Sequence, residues 1–390
     1  MRYLVGLVFV LALGVMGCSG TTGAGGGGGS GGTAGAGGAG GGGGAMAPGV
    51  LLGWEPRAAL GMNLWTVRYT SKAIDGAPIE VTGMVAAPVE PPAEGLRDVV
   101  SFAHGTTGVS DPYAPSTMPL STFFLSVATS AVDAGYVVTA TDYEGLGTPG
   151  LHPYYVRESE GRGVVDIVRA ARQLEEAHSG SRVVVWGNSQ GGHAALSAGE
   201  VAPEWASDVE VLGVVSGAPG SELPVLFEEG AGSARARGFL WQMTLGFAEA
   251  YPDLSLEDVY EAMALNVVRG LVEDEACNPE FLDTAEPFEN AGFATNPADI
   301  PEWLEVLEAN SPGNVRSEMP ILLMHGTEDM VVPPRFSDAL FERLCETGSQ
   351  TDYRVIEGAG HGAFSENLPM VLEWTAERFA GEAAKDTCPN

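Results

Sequence analysis

The chain has 390 residues, with 51 acidic against 19 basic side chains and a formal net charge of −32 at pH 7. So negative a surface excludes recognition of nucleic acid or of an anionic lipid face by charge. An apolar content of 45% supports a sizeable core, and one large domain with an insertion is expected once the unusual N-terminus is set aside.

Residues 1–18 place Arg2 before the apolar run Leu4 to Met16 and end on Gly17 and Cys18, a signal-peptide layout. The run is about 14 residues where a bilayer span needs about 20, so it reads as an export signal and not as a membrane span. Val15-Met-Gly-Cys18 resembles a bacterial lipobox, which would make Cys18 a lipidated first residue of the mature chain; an ordinary signal peptide cut nearby is the alternative. Residues 19–49 are mostly glycine, interspersed with Ala, Ser and Thr. Such a tract cannot bury apolar surface and is expected to tether a folded domain to a cell envelope.

From Leu64 to Ala86 apolar and polar residues alternate around Asp75-Gly76, predicting a hairpin at the antiparallel edge of a larger sheet. Further β-rich runs follow at Val99–Ala103, Val137–Thr141, Val183–Trp186, Val209–Ser216, Ile321–Met324 and Tyr353–Ile356. Helix-period stretches at Ser121–Ala134, Gly163–Ala177 and Gly191–Ala202 lie among them, which is the rhythm of a parallel sheet covered by helices. That rhythm stops between about Ser221 and Pro312, where Phe227, Phe239, Trp241, Phe247, Tyr251 and Trp303 stand in helix-like text. We expect an inserted helical cap there (221–315) between two parts of a core (50–220 and 316–390), with most of these aromatics forming the cap's own interior.

Gly187-Asn-Ser189-Gln-Gly191 is a G-x-S-x-G directly after one expected strand and directly before a helix. A nucleophilic serine needs this context, because its hydroxyl must stand on a sharp strand-to-helix turn that flanking glycines allow to close. The pentapeptide alone is weak evidence in a chain with 55 glycines; its partners strengthen it. Asp329, after the strand Ile321–Met324, and His361, after Tyr353–Ile356, follow Ser189 in the order Ser, Asp, His. Glu328 is the rival acid. Oxyanion donors are expected from the backbone of Gln190 and from Thr106 or Thr107 in the loop His104-Gly-Thr-Thr-Gly108.

Of the other histidines, His104 reads as scaffolding of that loop, His325 as a strand end, His193 as a residue of the helix after Ser189, and His152 and His178 as loop or surface positions. His325, Asp329 and His361 lack metal-ligand spacing and there is no H-E-x-x-H, so no metal or other cofactor is assigned. If Cys18 carries lipid, Cys277, Cys345 and Cys388 remain. One pair and one leftover thiol are then expected in an oxidising compartment, with Cys345–Cys388 the preferred pair among those the count permits.

With these motifs, together with Ala114-Pro-Ser116, Thr141-Asp-Tyr-Glu-Gly-Leu-Gly147, His152-Pro-Tyr154 and Gly187-Asn-Ser-Gln-Gly-Gly-His193, the chain resembles the bacterial and fungal secretory lipases of the α/β-hydrolase fold. The resemblance spans about residues 60–388 and implies a cofactor-free lipase or esterase with a cap over an acyl pocket. Relatives often carry a cysteine where this chain has Tyr113, usually bridged to the cap, which would leave Cys277 as the stranded thiol. Acyltransferases, thioesterases and peptidases use the same triad on this fold, and a non-catalytic binding lipoprotein is the reading from another class.

Overall fold

The computed structural model describes residues 46–389. The expected export signal, Cys18 with its lipid and nearly all of the glycine tract lie outside the described residues. At the tract's far end the chain is already part of the sheet's surroundings: Gly49 N–H donates to Thr70 O at 2.6 Å, and Thr70 Oγ1 donates to Ala47 O at 2.7 Å.

Nine strands form one sheet: β1 (Leu51–Arg57), β2 (Met62–Lys72), β3 (Pro78–Pro88), β4 (Arg97–Ala103), β5 (Val137–Thr141), β6 (Ser179–Asn188), β7 (Glu210–Gly217), β8 (Ile321–Gly326) and β9 (Thr351–Ile356). Their spatial order is β1-β2-β3-β5-β4-β6-β7-β8-β9. The expected hairpin is β2 with β3, in continuous antiparallel register from Met62↔Pro88 to Lys72↔Pro78. β3 meets β5 antiparallel, and from β5 to β9 every pairing is parallel. All residues of β5 and β8 are buried, because helices cover both faces of the parallel part and remove any reason for polar alternation.

On one face α2 (Arg157–Ala171), α3 (Gln190–Trp205) and α10 (Pro334–Glu346) press Val164, Ile167, Val168, Ala194, Ala198 and Leu340 onto the strands. On the other, α1 (Thr122–Asp133) and α12 (Leu368–Phe379) supply Phe124, Val127, Val371 and Trp374 against Phe102 and Trp186. Ser121 caps α1 by accepting the Phe124 N–H at 3.0 Å, which explains why the helix starts where its apolar period does. The short α11 (Ala363–Glu366) precedes α12.

Between β7 and β8 lie α4 (Leu223–Gly230), α5 (Arg237–Ala250), α6 (Leu256–Val259), α7 (Ala262–Glu273), α8 (Asn278–Ala285) and α9 (Pro301–Asn310). Phe227, Trp241, Phe247, Phe281 and Trp303 are buried in one cluster that also takes in Val109, Tyr154 and Tyr155 of the preceding core segments. The helices are therefore packed onto the loops at the strands' carboxyl ends by shared apolar surface.

Two elements differ from the sequence expectation. β1 was not anticipated: Gly53 and Pro56 break its pattern, it pairs only with β2 and it is irregular between Leu51 and Gly53, as an edge strand tolerates. α2 begins at Arg157 and not at Gly163, because the charged, glycine-containing start Arg157-Glu-Ser-Glu-Gly-Arg162 hides a buried turn that contains Glu160.

β4 and β6 are neighbours, with Ala103 opposite Gly187, yet the chain leaves β4 toward β5 on one side and β6 toward β7 on the other. The carboxyl ends of β4 and β6 thus open on a crevice at the point where the winding reverses, the usual site location in such sheets.

Candidate active site

Ser189 stands between β6 and α3 with φ 62° and ψ −125°. A non-glycine residue held in this region costs about 1–3 kcal/mol and persists only where its surroundings enforce it. Here they do. A Cβ on Gly187 would fall 1.9 Å from Gly191 O, and one on Gly191 would fall 2.0 Å from Ala103 O, so both glycines are dictated by backbone contact. Ser189 N–H donates to Gly217 O at 2.9 Å, tying the turn to β7. Its side chain makes no capping bond to α3, so the hydroxyl is not committed to the helix whose positive end it faces.

The loop after β4 lies against this turn: a Cβ on Gly105 would come 3.9 Å from Ser189 Cβ. His104 anchors it, with Nδ1 2.7 Å from Gly105 O, Nε2 3.3 Å from Asp142 O and the ring against Tyr143; burial lowers its pKa. Tyr143 OH donates to His104 O at 3.0 Å. Thr106 Oγ1 and Tyr154 OH are 2.6 Å apart, while Thr107 Oγ1 is buried without a hydrogen-bond partner. Gly108 forms a β-bridge with Cys277.

Asp329 and His361 leave β8 and β9 in adjacent loops. His361 Nδ1 is 2.7 Å from Asp329 Oδ2, and Asp329 Oδ1 accepts the N–H groups of Val331 and Val332 at 2.8 and 3.0 Å. Burial pushes the Asp329 pKa up, but hydrogen bonds from His325 and His361 outweigh it and hold the carboxyl well below its ordinary range. Glu328, the rival, is exposed, and its N–H donates to Ala359 O at 2.9 Å, joining the two loops. Asn188 Nδ2 donates to His361 O at 3.4 Å, linking the serine turn to the histidine loop. Ser189, the loop of Thr106 and Thr107, Asp329 and His361 are thus brought to one end of the sheet.

The remaining histidines divide. His325 is a strand end, as expected, but it also touches Asp329 Oδ2 at 3.2 Å, with Nδ1 2.6 Å from Ser337 Oγ. His193 is a residue of α3. His178 is half-buried at φ 52°. His152 is not a surface residue: it is fully buried, stacked on Tyr143 and 2.9 Å from Gln190 Nε2. The Gly- and Pro-rich text around it looks like an open loop, but the loop is roofed by the packed aromatics. Sequence reasoning also missed Glu160, fully buried beside Gln190 and His193; its one signal is helical phase with Val164, Ile167 and Ala171. Among the described residues no group of three or more His, Cys, Asp or Glu is placed to hold a metal ion.

Cys345 and Cys388 form a disulfide. Cys277 is not the leftover thiol: it is disulfide-bonded, and no described cysteine is free. The odd count had rested on lipidation of Cys18, which lies outside the described residues.

A secretory lipase family profile matches residues 116–277 and a prolyl oligopeptidase family profile residues 280–386. Lipase 6 of Candida albicans is 24% identical over 355 residues, covering 84% of this chain and 74% of its own. A protein of Mycobacterium tuberculosis named "Probable inactive lipase" is 26% identical over 286 residues, covering 67% of this chain and 59% of its own. Among solved structures, Candida antarctica lipase A superposes with a TM-score of 0.75 at 18% identity, covering 88% of this chain and 84% of the other.

Proposed function

Taking the chain as a lipase-like α/β-hydrolase, we propose that it cleaves carboxylic esters through an acyl-enzyme on Ser189, with His361 as general base and Asp329 as its orienting acid. The observation that carries the reading is the combination of a strained Ser189 at the start of α3 with the His361–Asp329 pair at 2.7 Å on the loops beside it. The family match and the lipase relative support ester hydrolysis.

Ser189 Oγ adds to the ester carbonyl carbon as His361 Nε2 takes the hydroxyl proton, and Asp329 stabilises the resulting imidazolium through Nδ1. The carbonyl oxygen becomes an oxyanion, which the backbone N–H of Gln190 and one from Thr106 or Thr107 would bind; losing one such donor typically costs about 10²- to 10³-fold in rate. Collapse breaks the acyl carbon–oxygen bond, and the alkoxide leaves with the proton held on His361. Water then adds to the acyl-enzyme by the same base, releasing the acid and restoring Ser189. Neither step requires a metal or an organic cofactor.

The relative named as an inactive lipase makes a binding role without catalysis the second reading. Against it, Ser189, Asp329 and His361 are all present here and two of them are already paired. The secretory family supports export.

The test is hydrolysis of p-nitrophenyl esters from short to long acyl chains by the full chain beside Ser189→Ala. We expect turnover that falls by about 10⁶-fold in the variant, with the chain-length profile separating esterase from lipase. A folded wild type no faster than Ser189→Ala on every ester overturns the hydrolase reading in favour of binding, and turnover of thioesters or peptides alone shifts the bond.

A further inference from the structure

We propose that Glu160 and His152 are positioning residues that act on catalysis through Gln190, gripping its carboxamide from two sides and so fixing the N–H that this residue offers to the oxyanion. The inference rests on the reading of Ser189 as nucleophile and of the Gln190 N–H as an oxyanion donor.

Gln190 is the first residue of α3, directly after the strained serine. Its side chain turns away from solvent into a polar cluster in which Gln190 is 1% exposed and Glu160, His152 and His193 are 0% exposed. Gln190 Nε2 lies 2.9 Å from Glu160 Oε1 and 2.9 Å from His152 Nε2.

The neighbours fix the polarity of these contacts. His152 Nδ1 is 2.8 Å from the carbonyl of Glu144, which can only accept. Nδ1 therefore carries the hydrogen, and Nε2 presents a lone pair to Gln190. One carboxamide hydrogen goes to His152 and the other to Glu160, so both are used. Glu160 Oε1 accepts in addition the Tyr155 N–H at 3.0 Å, and Oε2 is 2.7 Å from His193 Nδ1. His193 Nε2 in turn faces Asn310 O, at the end of α9, at 2.9 Å.

The carboxamide thus cannot rotate without stranding a buried donor or acceptor, a costly outcome in a water-excluded interior. Because the side chain is fixed by α2 and by the loop of His152, the backbone of the residue behind it is fixed as well. That is the residue whose N–H must point at the oxyanion before any charge develops there.

A cluster that only glued α2 to α3 would affect folding alone; a grip acting through Gln190 makes a narrower claim, which a double-mutant cycle reads. His152→Phe keeps a ring over Tyr143, stacked at 5.4 Å in the native protein, and removes the acceptor. The full chain is assayed on a short-chain p-nitrophenyl ester, with reactive Ser189 counted by fluorophosphonate labelling to normalise kcat. We expect His152→Phe and Gln190→Ala each to lower kcat by about 10- to 100-fold, the size of a small misplacement of a catalytic group, with KM within about threefold. The double variant should be no slower than Gln190→Ala alone. Glu160→Gln retains an acceptor for Gln190 and should keep most of the kcat that Glu160→Ala loses; if Glu160→Ala fails to fold, the His152 cycle decides by itself. A labelled, folded His152→Phe with wild-type kcat, or losses that multiply in the double variant, overturns the proposal. Undiminished turnover by Ser189→Ala would instead overturn the functional reading beneath it.

Discussion

Asp329 accepts hydrogen bonds at both carboxyl oxygens, from the N–H groups of Val331 and Val332 at Oδ1 and from the His361 ring at Oδ2, where His325 Nε2 also stands 3.2 Å away. Asp329→Asn would turn an amide N–H toward His361 Nδ1, favour the wrong tautomer and lower kcat by about 10⁴-fold with little change in fold. The same bonds set an acid signature. A carboxyl whose folded pKa lies below its unfolded value contributes stability that is present above about pH 4 and is lost as the pH falls through the folded value. Urea midpoints measured between about pH 6 and pH 2.5 should therefore fall less steeply for Asp329→Asn than for wild type; parallel curves would mean that the carboxyl is not held low. The strands before Asp329 and His361 were legible as β-rich runs, each with its candidate residue in the loop that follows. His152 and Glu160 were not, since burial of a polar residue depends on what packs over it, and the roof over His152 comes from residues close to it only in space, such as Tyr143 and Gln190.

At the scale of elements, α5 lies so close to the segment leading into α2 that a Cβ on Gly246 would stand 2.3 Å from Tyr154 N and 2.8 Å from Tyr154 O. Tyr154 in turn meets Thr106, in the loop after β4, through its hydroxyl. Gly246→Ala must displace a helix or that segment, at about 1–3 kcal/mol for overpacking, and we expect a lower melting temperature together with reduced kcat. Gly270→Ala on α7 is the control: nothing lies within 4 Å of its Cβ position, so the substitution should add about 0.5–1 kcal/mol of stability by helix propensity and leave kcat unchanged. Equal behaviour of the two variants would show that the α5 contact does not reach the loop of Thr106. The parallel strands could be read from their β-branched runs, as could the hairpin from its alternation. β1 could not, because Gly53 and Pro56 suit only an edge strand whose pairing is set by β2.

At the scale of the whole molecule, the order of the central strands decides where the chemistry sits, and the C-terminal tail decides how the far edge is closed. β9 is the last strand of the sheet, and such an edge leaves backbone groups open to another chain unless covered. Here the tail runs along it: Thr387 N–H donates to Thr351 O at 2.8 Å, and Tyr353 N–H donates to Thr387 Oγ1 at 2.9 Å. The Cys345–Cys388 bond then ties that tail to α10 across 43 residues of sequence, a closure worth about 2–4 kcal/mol through the unfolded chain. Replacing both cysteines by serine should lower the melting temperature and increase aggregation on heating. Because the tail bonds the first half of β9 whereas His361 follows its other end, kcat at 25 °C should stay at the wild-type value. A parallel loss of kcat in the folded variant would show instead that the tail holds the histidine loop in register through β9, making the cross-link part of the site's support.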